Sequence, residues 1–137
     1  ELSTLVHSMY SSKLTSDSPT YFPYCDHRSY FYETIQMKVV DHGLYSFLVT
    51  GYSPSNISAE IYKENFNPFN PRVNKILTFS QQSESKYQSS QILQPSETYI
   101  AVVRSNFRNM TLSFSIHLSG SDVVFFKKSS KYIRIFI

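Results

Sequence analysis

Three consecutive residues, Cys25, Asp26 and His27, put a thiol, a carboxyl and an imidazole side by side, the residue types of a nucleophile and its base. Nucleophilic catalysis needs the base within hydrogen-bond reach of the sulfur. This stretch reads more simply as a partly buried free thiol beside a surface histidine. The other histidines, His7, His42 and His117, form no HxH or HExxH pattern and keep no metal-ligand spacing. Gly43, Gly51 and Gly120 stand alone, at expected turns, so no glycine-rich loop cradles a phosphate, and no serine sits in a nucleophile elbow. No enzyme, no cofactor and no metal are therefore expected, and no catalytic residue is assigned.

The remaining candidates are contact residues. Tyr24, Tyr30 and Tyr32 lie close together in the sequence. Aromatic platforms on a sheet face bind sugars or peptides by stacking, although alternating tyrosines also simply pack a sheet edge. Asn56-Ile57-Ser58 and Asn109-Met110-Thr111 are acceptor triplets for N-linked glycans. Both follow turn-forming residues, so Asn56 and Asn109 are expected to be glycosylated on a secretory route.

Positioning such residues falls to strands. Aromatic residues make up 16% of the 137, all Tyr and Phe, and charged residues only 17%, a mixture suited to pleated, half-buried surfaces. The length suits one core and not two. Over Tyr30–Val40 the residues alternate, with Phe31, Glu33, Ile35, Met37 and Val39 on one face and Tyr30, Tyr32, Thr34, Gln36 and Lys38 on the other. Asp41-His42-Gly43 breaks that run, and Tyr45, Phe47 and Val49 alternate after it, which predicts a hairpin. Met110, Leu112, Phe114, Ile116 and Leu118 mark a core strand. Glu97–Ser105, apolar through its centre, reads as a strand covered on both sides, joined to the next by a turn of hairpin length. Weaker strands are expected over 57–63, 74–80 and 86–93. About eight strands at short spacing predict an all-β protein, a single antiparallel, jelly-roll-like β-sandwich. Residues 1–20 read as an N-terminal linker or extension, 21–120 as the sandwich and 121–137 as a strand-forming tail.

Two Asn-Pro pairs, Asn67-Pro68 and Asn70-Pro71, interrupt the pattern within "AEIYKENFNPFNPRVNKIL". Proline removes a ladder donor and keeps the residue before it out of the helical region, while Asn can bond backbone two residues on. The segment is expected to be a rigid loop without regular structure, closed by Phe66 and Phe69 packing on the sandwich edge.

The succession "YFYETIQMKV", "GLYSFLVTGYS", "AEIYKENFNPFNPRVNKIL", "LQPSETYIAVVRS" and "LSFSIHLSG" resembles the all-β modules found in tandem in large secreted and cell-surface proteins of invertebrates. Those are similar in turn to the pre-peptidase C-terminal domains of secreted bacterial proteases. The resemblance spans about Phe22 to Gly120, with Tyr62–Leu77 its most specific piece, and it implies a non-catalytic spacer or adhesion module. Modules of this kind usually carry Asp and Gly after the segment matching Ile76-Leu77. Here "TFSQQSESKYQ" offers Glu84 alone, too little for calcium's six to eight oxygens.

The C-terminal stretch Lys131, Tyr132, Ile133, Arg134, Ile135, Phe136 and Ile137 has high β propensity and no breaker, so it needs a partner strand. Either it closes its own sheet or it adds to the edge of a neighbouring copy. Lys127, Lys128, Lys131 and Arg134 make this end basic, while the other cations are scattered, which argues against nucleic acid. No apolar run matches a membrane helix. The sequence thus points to a secreted or extracellular, structural or adhesive module with protein partners or self-association, with a glycan- or protein-binding sandwich as the alternative. In the latter, the tyrosine-rich face or the basic tail holds the ligand.

Overall fold

In a computed structural model, residues 4–22, 29–51, 57–78, 80–83, 86–106 and 110–129 are described. They form eleven strands: β1 (Val6–Leu14), β2 (Thr20–Tyr21), β3 (Tyr30–Val39), β4 (Gly43–Gly51), β5 (Ile57–Lys63), β6 (Lys75–Thr78), β7 (Ser80–Ser83), β8 (Lys86–Leu93), β9 (Tyr99–Ser105), β10 (Leu112–Gly120) and β11 (Val124–Ser129). Two antiparallel sheets pack as a sandwich. One has the order β1-β10-β4-β8-β7, the other β11-β3-β9-β5-β6 with β2 paired to β3. None of the described residues is helical, so no helix there is long and apolar enough to cross a membrane.

The core between the sheets is built from the faces that the alternation selects. Ile35, Met37 and Val39 of β3, Tyr45, Phe47 and Val49 of β4, and Leu112, Phe114, Ile116 and Leu118 of β10 are all buried there. β9 is buried along its whole length, because its outer side is covered as well. That cover is a second apolar cluster of Tyr21, Tyr32, Tyr62, Phe66, Ile100 and Val102.

Two hairpins expected from loop length do not form. β3 and β4 belong to different sheets, as do β9 and β10. Each strand of these pairs has a buried face, and the chain brings the two faces together by crossing between sheets instead of laying the strands side by side. At the first crossing the Tyr45 hydroxyl donates to the Asp41 carbonyl at 2.7 Å and pins the corner. Gly43, Gly51 and Gly120 accordingly end strands rather than sit within turns.

The segment read as an N-terminal linker also holds β1, which pairs with β10 in register from Val6↔Gly120 to Leu14↔Leu112. Its inward positions include Ser8, Tyr10 and Ser12, which is why no apolar face announces the strand. They lie at the seam between the sheets, where polar partners exist. Ser8 Oγ accepts from the Val124 amide at 2.9 Å, and Tyr10 packs its ring 5.9 Å from that of Phe126. Part of the stretch assigned to the C-terminal tail, β11, pairs with β3 in its own sheet.

Candidate functional site

Of the tyrosines expected to offer a contact face, Tyr30 and Tyr32 are not presented to solvent. Tyr30 is 5% exposed and Tyr32 2%. Tyr32 meets Tyr21 edge-on at a centroid distance of 4.8 Å and Phe66 at 5.6 Å, while the Arg104 guanidinium lies 6.0 Å from the centre of the Tyr30 ring. Both rings face outward from β3, as the alternation requires, but Tyr21 of β2 and Phe66 of the β5–β6 loop cover Tyr32, with Arg104 beside Tyr30. Tyr24, the glycan acceptors Asn56 and Asn109, the Cys25-Asp26-His27 triplet, Glu84 and the tail residues 131–137 lie outside the described residues.

The histidines in view are dispersed. His7 pairs through Nδ1 with Ser119 Oγ at 2.8 Å, His42 is exposed in the β3–β4 corner, and His117 stands on the outward face of β10. Among the described residues no three His, Cys, Asp or Glu side chains gather to hold a metal ion.

Among the described residues two carboxylates are buried, and each is held by donors from other strands. Glu33 on β3 accepts from the Tyr10 hydroxyl and the Ser12 hydroxyl, both at 2.6 Å, with Lys128 Nζ at 3.7 Å. Burial, reinforced by the adjoining Glu33 carboxylate, pushes the Tyr10 hydroxyl up to about 12. Glu60 on β5 is paired with Lys75 and has Arg104 Nε at 3.8 Å. The Tyr62 hydroxyl, raised by burial and by the Glu60 charge, donates to the Pro71 carbonyl at 2.6 Å and lies 3.3 Å from Glu60 Oε2. These groups join strands, and their chemistry is that of ties within the fold.

Concavity appears elsewhere. The β5–β6 connection leaves the sheet at Glu64, which takes a left-handed backbone with φ 72°. Its amide donates to the Thr98 carbonyl at 2.7 Å, which fixes it against the β8–β9 turn. Asn67 Oδ1 then accepts from the Phe69 amide at 2.9 Å, as the Asn-Pro chemistry predicts. Asn74, also left-handed at φ 68°, donates through Nδ2 to Asn65 Oδ1 at 2.9 Å and closes the loop on itself. Phe66 is buried against the outer face of the sheet, not its edge, and Phe69 stays 63% exposed at the turn corner instead of packing down.

Between this loop and the 96–98 turn lies a cavity of about 350 Å³. Ile100, Gln36 and Phe66 line it from the sheet side, Glu64 and Asn65 from the loop, and Glu97 from the turn, where it is held by Lys63 Nζ at 3.3 Å. A second hollow of about 500 Å³ on the outer face of the opposite sheet is lined by hydroxyls, among them Ser11, Thr50, Ser113 and Ser115. There the Ser11 and Ser115 oxygens share a hydrogen bond of 2.7 Å. Neither hollow is legible from residue spacing, because each is assembled from segments far apart in the chain.

No protein-family model matches the chain, and no curated protein matches it. The two-sheet, sandwich-like, all-β architecture ties the chain to no particular family.

Proposed function

We propose that this domain is a non-catalytic, extracellular module whose work is structural or adhesive. The observation that supports this reading is the use made of Glu33 and Glu60. Both buried carboxylates are engaged by side chains from other strands, Glu33 by Tyr10 and Ser12 of β1 and Glu60 by Lys75 of β6. Charged groups used in this way hold a scaffold together. The two N-glycan triplets support a secretory route, and the resemblance supports a place among tandem modules.

Assembly would proceed by strand addition, with Lys131–Ile137 of one copy as the donated strand. The acceptor we favour is β1, which carries nine residues on a sheet edge, without proline and in unbroken register with β10. As the end strand of its sheet it has an outer side to which a further strand can add. Sedimentation of the full chain and of a chain ending at Ser130 tests this. Assembly of the full chain only is the expected outcome, and monomers in both samples would remove strand addition.

A binding role is the second reading. It is favoured by the cavity beside Glu64 rather than by the tyrosine-rich face, whose Tyr30 and Tyr32 are covered.

A further inference from the structure

We propose that the cavity between the β5–β6 loop and the 96–98 turn is a binding site for a neutral saccharide, the ligand through which an adhesive module of this kind would engage its surroundings. The inference rests on the adhesive reading for its biological setting.

Size comes first. At about 350 Å³ the cavity falls at the small end of the range for small-molecule sites, which suits a mono- or disaccharide. Its lining suits a sugar in kind. A pyranose carries hydroxyls that both donate and accept, arranged around a ring with an apolar C–H face. Gln36 and Asn65 offer amides, Glu64 and Glu97 carboxylates, and the 96–98 turn adds the Ser96 and Thr98 hydroxyls. Planar amides and carboxylates each present two polar atoms side by side, the spacing that adjacent sugar hydroxyls need. Ile100 and Phe66 close the floor of the cavity but are nearly buried, so a ligand there is held through the polar groups around it.

Charge then selects among sugars and against other ligands. Two carboxylates line the cavity, so an acidic saccharide would meet like charge. Glu97 is already answered by Lys63, which weakens the attraction for a cationic side chain. An uncharged, hydroxyl-rich molecule is what remains.

The walls are also held in place before any ligand arrives. Glu64 keeps a left-handed backbone that side-chain-bearing residues take only at some cost. Its amide bond to Thr98 locks the two walls together. Glycine would fill this position without strain, so the carboxylate is what the position keeps in exchange for that cost.

The test is a titration of the isotope-labelled full chain by amide chemical shifts. Glucose, galactose, mannose, N-acetylglucosamine and their β-1,4-linked disaccharides are added in turn, with sialic acid and lysine as charged comparators. Expected are saturable shifts at Gln36, Asn65 and Thr98 with at least one neutral sugar. Glu64→Gly should keep the fold, since glycine accepts φ 72°, and weaken binding about tenfold. Gln36→Ala should weaken it about fivefold. Absence of shifts from every neutral sugar, shifts from lysine or sialic acid alone, or full affinity in Glu64→Gly would overturn the site. The same samples report on the broader reading. Cleavage of a disaccharide would overturn the non-catalytic function while upholding the site, whereas an empty titration without turnover removes the site and leaves that function untouched.

Discussion

The ring of Tyr45 lies so close to Gly120 that a β-carbon added to the glycine would stand 2.2 Å from Tyr45 Cδ1. Tyr45 is fully buried, and its hydroxyl is held by the Asp41 carbonyl, so the ring has nowhere to retreat. None of the glycines has a positive φ, so alanine is allowed by the backbone and refused only by the ring. Gly120→Ala should cost about 3 kcal/mol or more in denaturant unfolding. Gly43→Ala is the matched control. Its β-carbon would approach only the Ser121 hydroxyl at 3.3 Å, and the change should stay within about 0.5 kcal/mol.

Phe66 and Phe69 occupy the same kind of sequence position, each just before an Asn-Pro pair, yet only Phe66 is buried. Its ring contacts Tyr21, Tyr32 and Tyr62 at centroid distances of 5.3, 5.6 and 4.8 Å. Phe66→Ala should therefore cost about 3–4 kcal/mol, with Phe69→Ala within about 0.5 kcal/mol. Equal losses for the two variants in urea melts would show that the loop does not seat as described.

That pair also marks how far the sequence could be read. Strands with one apolar face, β3, β4 and β10, were legible from alternation because burial on one side is a local constraint. The Asn67 bond to the Phe69 amide was legible because the Asn-Pro chemistry that makes it is local too. β1 was not, since its inward hydroxyls are answered by Glu33, 21 and 23 positions away, and by Val124, 116 positions away. Loop length could not tell a hairpin from a crossing between sheets. Tyr32 looked available because nothing in its spacing reveals that Phe66 and Tyr21 will lie over it. The cavity beside Glu64 needs residues from three stretches of chain, and no pattern of types or spacings announces it.

Glu33 joins the two sheets through β1, which makes the Tyr10 and Ser12 bonds interdependent. Tyr10→Phe alone should cost about 1.5 kcal/mol, in the range for a hydrogen bond to a charged group. Glu33→Ala should cost about 3 kcal/mol, because it leaves two hydroxyls without their acceptor. In the Glu33→Ala background, Tyr10→Phe should then cost less than about 0.5 kcal/mol. Additive losses in this double-mutant cycle would mean that Tyr10 stabilises through its ring contact with Phe126 and not through the carboxylate.

Alkaline titration should reveal the same tie. The Tyr10 hydroxyl is raised from 10.0 to about 12, and that of Tyr62 is raised as well, in each case chiefly by burial. A raised value means that the folded state holds its proton more tightly than the unfolded chain does. The stabilisation is complete below pH 10 and is lost as pH climbs from about 10 towards 12, where the unfolded tyrosine has already ionised. Tyrosinate absorbance should thus show Tyr10 and Tyr62 ionising late, with unfolding setting in as they titrate. Tyr10→Phe should flatten the fall in stability over that window while lowering the neutral-pH value. A variant that is as alkali-sensitive as the parent would place the sensitivity elsewhere, with Tyr62→Phe the next to measure.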